Sequence, residues 1–132
     1  MFERVYADTP RILAIQDVYL RARHESSTSL REFYEEVIGL YPVEPPHPDA
    51  LSFRGVDAAG PRLIVALTAE SPPPPVRRAV LVQVGSLHAF SEACRDRNLT
   101  YEVQQGWSFY DRRLFVEDPA GHRVEVTAYH TL

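Results

Sequence analysis

The stretch "GHRVEVTAY", Gly121–Tyr129, decides the reading of the fold, because an earlier stretch, "GPRLIVALT" at Gly60–Thr68, is built the same way. Each opens Gly-x-Arg and then alternates as a half-buried strand does. Alternation puts Val124, Val126 and Ala128 on one side, and Arg123, Glu125, Thr127 and Tyr129 on the other. A lone carboxylate, Glu125, therefore stands between two valines on a polar and aromatic face. It is either a metal ligand, which would point to an enzyme, or a polar group lining a pocket.

The pairing of the two stretches extends outward. "SLREFYEEVIGL" (Ser29–Leu40) precedes the first and "SLHAFSEACRDRNL" (Ser86–Leu99) the second. Leu30, Phe33 and Val37, like Leu87, Phe90 and Cys94, fall at helical spacing, so both predict amphipathic helices that Ser29 and Ser86 can cap. Before each helix lies another strand pattern, "ILAIQDVYLRA" (Ile12–Ala22) and "RAVLVQV" (Arg78–Val84). Each half thus reads strand, helix and further strands, a βαβββ unit used twice.

Between the halves, "AESPPPPVRR" (Ala69–Arg78) carries the run Pro72–Pro75, which excludes helix and central strand and reads as a stiff connector. The predicted architecture is α+β: two tandem βαβββ modules forming curved mixed sheets around a cavity, with the helices on the outer face. Module one covers about 10–69, the connector 70–77 and module two about 78–130, within one domain spanning 1–132.

Bulk composition narrows the function classes. Hydrophobic residues make up 45% and charged residues 24% of 132, enough apolar material for a core without disulfide or metal staples. With 14 basic and 18 acidic residues and no basic face, nucleic acid is not an expected partner. A single cysteine, Cys94, excludes an internal disulfide and a cysteine zinc cluster, and its helical setting predicts a partly buried, inert thiol. No run approaches a membrane span and "MFERVYADTP" lacks a signal-peptide core, so a soluble cytoplasmic protein is expected.

On the side of the strands opposite the apolar one, the alternation collects Asp17, Tyr19 and Arg21 from the first strand, Ala79, Leu81 and Gln83 from the strand after the prolines, and Arg123, Glu125, Thr127 and Tyr129 from the last. Tyr19, Leu81 and Tyr129 favour a ligand cavity there over open solvent. In "QGWSFYDRR" (Gln105–Arg113), Trp107 and Tyr110 form either a wall of that cavity or an anchor for a loop or dimer contact.

"LREFYEEVIGL" and "FVEDPAGHRVEV", in that order and with the duplicated βαβββ pattern, resemble the signatures of the vicinal oxygen chelate superfamily, which includes glyoxalase, bleomycin-resistance proteins and extradiol dioxygenases. The resemblance covers nearly the whole chain. It implies metal-ligand positions on four strands, matching Asp17, Ile64, Ala79 and Glu125 here. Ile64 and Ala79 cannot ligate, and a first-row catalytic metal generally wants three protein ligands with imidazole prominent. His122 and His130 share the parity of Val124 and so point away from the cavity, His88 lies in a helix, and only His24 and His47, in loops, remain available.

The resemblance thus implies a metal-free protein that binds a small organic ligand without chemistry, as in the bleomycin-resistance branch, with no cofactor. The alternatives are a divalent-metal-dependent lyase, isomerase or dioxygenase using Glu125, with Asp17 and Glu125 as weak catalytic candidates, and a non-catalytic interaction module. A homodimer is the expectation from resemblance. Glu125 itself keeps three readings: a former ligand position now paired with Arg21, Arg62 or Arg123, a group that recognises a cationic or hydroxyl-bearing ligand, or a general base.

Overall fold

The computed structural model describes residues 10–72, 80–106 and 112–128. Within them lie nine strands: β1 (Arg11–Ile12), β2 (Val18–Arg23), β3 (Tyr41–Pro42), β4 (Ala50–Arg54), β5 (Arg62–Thr68), β6 (Val80–Val84), β7 (Tyr101–Gln105), β8 (Arg112–Glu117) and β9 (Arg123–Ala128). Helix α1 (Ser27–Glu32) follows β2 and α2 (Leu87–Asp96) follows β6.

The strands form two sheets with the same internal order. The first runs β2-β5-β4-β3 and the second β6-β9-β8-β7, with β1 added at the β6 edge. In both, the first and last strands of the module pair in parallel and the rest pair antiparallel. The registers coincide: Tyr19 opposes Ile64 as Leu81 opposes Glu125. The duplicated βαβββ architecture is therefore present at the level of individual residues, in two curved, open sheets.

Each sheet turns one side to a helix. Tyr34, just beyond α1, meets the Phe53 ring of β4 at 5.5 Å between centroids. The valines 80, 82, 124 and 126 are all buried on the corresponding side of the second sheet. One cluster of buried apolar residues spans both modules, and α2 packs on β9 and on the Phe33–Ile38 turn. Within it Cys94 is fully buried, more deeply than its helical setting predicts, and burial pushes its thiol up to about 11.

The first helix departs from the expected form. It begins earlier, with a 3₁₀ turn at His24–Ser26, so Ser29 lies inside it and caps nothing. From Phe33 to Ile38 it widens into π-helical turns. Gly39 closes it at φ +93°, where the Gly39 and Leu40 N–H groups both donate to the Tyr34 carbonyl. In α2 Ser86 does act as cap, its Oγ accepting from the Ala89 N–H at 3.1 Å.

The segment read as one strand over Ile12–Ala22 is two. β1 pairs with β6 of the second sheet, and β2 belongs to the first. Between them the chain crosses from one sheet to the other through Leu13–Asp17, with Ile15 fully exposed. Alternation could not show this break, because Leu13 and Ile15 continue the strand period through the crossing. The crossing ties the modules together. Val56 N–H donates to the Pro10 carbonyl at 2.9 Å, and Pro10–Ile12 passes so close to Gly55 that a Cβ there would lie 2.6 Å from the Pro10 oxygen.

A second tie is buried. Asp118, ahead of β9, is sealed from solvent and accepts four hydrogen bonds. The Ala120 and His122 backbone N–H groups reach Oδ1 at 2.9 Å each. The Tyr34 hydroxyl donates to Oδ2 at 2.6 Å, and His122 Nδ1 lies 2.8 Å from the same oxygen. Against a carboxylate that nitrogen carries the proton. Gly121 holds the turn at φ +91°, a conformation that favours glycine. Burial, then the Asp118 charge, push the Tyr34 phenol well above its ordinary value, so it remains a donor at any working pH.

Both ties are testable by urea unfolding. Tyr34→Phe leaves Asp118 one donor short and should lose about 1.5–3 kcal/mol. Gly55→Ala should lose about 1–3 kcal/mol, because the obstructing atoms are backbone and cannot rotate away.

Candidate functional site

The side of each sheet away from its helix carries the polar residues. On the first sheet the register sets Arg54 beside Arg62, Ser52 beside Ile64, and Ala50 beside Ala66. Tyr19 and Arg21 follow on β2, beside Ile64 and Ala66. This face is not an open solvated surface: Ala50, Ser52 and Ile64 are all buried on it. Tyr19, by contrast, is 70% exposed.

Asp17 stands just before β2 and is bound to one partner. It accepts from the Arg62 backbone N–H at 2.8 Å through Oδ1, and from Arg62 Nε and Nη2 at 3.2 and 2.9 Å through Oδ2. The backbone donor, then the side-chain hydrogen bonds, hold the Asp17 carboxyl below the ordinary aspartate range. Two guanidinium donors thus converge on one carboxylate oxygen while the backbone donor takes the other, which fixes geometry as well as charge.

On the second sheet the corresponding face carries Leu81 and Gln83 from β6 and Arg123, Glu125 and Thr127 from β9, with Leu81 opposing Glu125 and Gln83 opposing Thr127. Glu125, part-buried, accepts from Arg113 Nη1 at 3.3 Å. Arg123 lies 4.0 Å over the Phe115 ring, a cation–π contact. So the partner of Glu125 is Arg113, rather than Arg21, Arg62 or Arg123. Parity could not reveal it, because Arg113 approaches diagonally from a third strand.

The other expected positions divide into two groups. Ala79, Trp107, Tyr110, Tyr129 and His130 lie outside the described residues. Among the histidines, His122 is buried in the Asp118 turn, and His88 Nε2 stands 3.2 Å from Glu92 on α2. His24 Nε2 lies 3.8 Å from Asp49, and His47 is exposed between β3 and β4. Among the described residues no three His, Cys, Asp or Glu side chains converge.

The fold has counterparts in solved structures. The chain matches a glyoxalase family protein from Bacillus anthracis with a TM-score of 0.71 at 19% identity, over 87% of this chain and 93% of that one. It has the vicinal oxygen chelate fold. Two further structures with this fold differ in what they are said to do. A lactoylglutathione lyase from Agrobacterium tumefaciens matches with a TM-score of 0.63 at 18% identity, covering 86% of this chain and 92% of that one. The antibiotic-binding protein TnmS3 from Streptomyces sp. CB03234 matches with a TM-score of 0.63 at 15% identity, covering 89% and 98%. No protein-family model matches the chain, and no curated protein matches it by sequence.

Sequence reasoning passed over Ser52 and Arg54. The signal was available in "ALSFR", where Leu51 and Phe53 alternate with Ala50, Ser52 and Arg54 and place the latter three on the face of Ile64.

The Asp17–Arg62 contact predicts a pH dependence. A carboxyl whose folded pKa is depressed contributes stability above its unfolded value and loses it as pH falls through the folded one. Asp17→Asn should therefore destabilise the protein at neutral pH, and the difference from wild type should shrink below about pH 4. Thermal melts from pH 7 to 2.5 check this; a gap that stays constant into acid would contradict it.

Proposed function

We propose that this chain is a metal-free protein that binds a small organic molecule on the polar faces of its sheets. The observation that carries the reading is the state of the carboxylates at the metal-ligand positions of the fold. Asp17 is engaged through both oxygens by Arg62, and Glu125 is paired with Arg113. Ile64, at the position equivalent to Glu125, offers no donor atom. The described residues do not fit a divalent-metal centre, since each of these carboxylates is held by a guanidinium and no three His, Cys, Asp or Glu side chains converge among them. The existence of an antibiotic-binding protein with the same fold supports the reading.

In this reading Arg62 and Arg113 do for the carboxylates what a metal would otherwise do. They balance charge on faces where an unpaired carboxylate would be costly. Tyr19 and Leu81, exposed large apolar groups on the same faces, supply surface for a ligand and for a second copy of the chain in a homodimer. The alternative, a metal-dependent lyase, isomerase or dioxygenase, rests on Glu125.

The test is elemental analysis of protein purified without a metal-affinity step and then offered manganese, iron, zinc and nickel. Well under one equivalent should be retained, and Glu125→Ala should leave that figure unchanged. One equivalent of a single metal, lost in Glu125→Ala, would establish the metalloenzyme reading instead.

A further inference from the structure

The two modules repeat in register but not in charge. Arg54 and Arg62 oppose one another on β4 and β5; at the equivalent places on β8 and β9 stand Glu117 and Arg123. Ile64 likewise replaces Glu125. The polar face of the first sheet therefore carries four guanidinium groups, from Arg21, Arg23, Arg54 and Arg62; Arg62 holds the Asp17 carboxylate and Arg23 pairs with Glu25 just beyond the strand.

Arg54 has no such partner. Its charge is felt by Asp17, but it makes no salt bridge among the described residues, and its Nε is buried without a hydrogen-bond acceptor. Two residues earlier, on the same face, Ser52 Oγ is also buried and without a partner. Same-face neighbours on a strand stand about 7 Å apart, which a two-oxygen anionic group with its immediate substituent can span. Ser52 also borders a recess of about 310 Å³ at the β3–β4 edge, whose other walls include Arg31 and Glu35 of the helical segment and Leu51 and Phe53 of the opposite face, while Arg54 lies outside it. One ordered water could serve Ser52, but it would not neutralise a guanidinium.

We propose that the polar face of the first sheet binds an organic anion, with its carboxylate or phosphate on Arg54 beside Ser52 and its apolar body on Ile64 and Ala66. The inference rests on the small-molecule-binding reading above and names the ligand class. Arg54 supplies the charge-assisted donor, and a guanidinium is suited to two-oxygen acceptors. Ser52 supplies a hydroxyl that can donate to the same group. Ile64 matters because a carboxylate in its place, as at Glu125, would repel the anion.

The experiment is a titration of ¹⁵N-labelled protein followed by NMR, using benzoate, phenyl phosphate and the uncharged benzamide. Benzoate or phenyl phosphate should shift the Arg54 Nε–H resonance and the Ser52 and Ile64 amides to saturation, and benzamide should leave Arg54 Nε–H in place. Arg54→Gln should weaken anion binding about tenfold or more, with Ser52→Ala losing a smaller factor of about two to five. An unmoved Arg54 Nε–H with both anions overturns the proposal, and so does a response equal to that of the exposed Arg97. The wild-type titration decides by itself, so nothing depends on how the variants fold. If the anions fail at Arg54 while benzamide binds elsewhere on the polar faces, the anion inference falls and the binding reading stands. If none of the three binds, both fall.

Discussion

The Asp118 carboxylate holds the two halves of this molecule in their mutual arrangement. It is sealed from solvent, and a buried carboxylate is tolerated only when its lone pairs are met. Two of its donors come from its own turn, and one comes from His122 four residues on. The remaining one, Tyr34, lies 84 residues away on the other module. Because the Tyr34 ring is packed between Phe33 and Phe53, its hydroxyl has little freedom to look elsewhere. The turn before β9 is thereby referred to the core of module one. Every residue placed by β9, Glu125 among them, takes its position from that reference.

This connection gives physical content to two motifs that otherwise look unrelated. "FY" in the first helix and "DPAGH" before the last strand are far apart in the chain, yet Tyr34, Asp118 and His122 belong to one hydrogen-bonded group. Gly121 is there for its positive φ, and Gly39 closes the widened helix that presents Tyr34. Conversely, none of these residues is available to a ligand. The most recognisable letters of the sequence serve the frame, and the polar faces that distinguish this chain are written in ordinary strand residues.

That division explains what could be read from the sequence. The repeat "GxR" followed by alternating residues located β5 and β9, and their partners β2 and β6 followed from the order of elements. The equivalence of Ile64 with Glu125, inferred from the repeat alone, is the equivalence of the strand registers. Periodicity failed where two strands of different sheets share one alternating run, at Ile12–Ala22, because parity carries no information about which sheet a strand enters. It also failed for Arg113 and Arg62, whose partners are set by diagonal reach and by a loop. β4 was passed over because "ALSFR" is short and reads as apolar until its alternate residues are separated.

The same fold can host binding without chemistry because duplication supplies a symmetric frame and leaves each half free to change its residues. At equivalent points the two sheets now carry Ile64 and Glu125, Ser52 and Phe115, Arg54 and Glu117. A metal site at the pseudo-symmetric centre would need donors from both halves. Once one half presents Ile64, the opposing carboxylate gains nothing from a cation it cannot hold alone, and a guanidinium on a neighbouring strand balances it at lower cost in desolvation, being more weakly hydrated than a small cation.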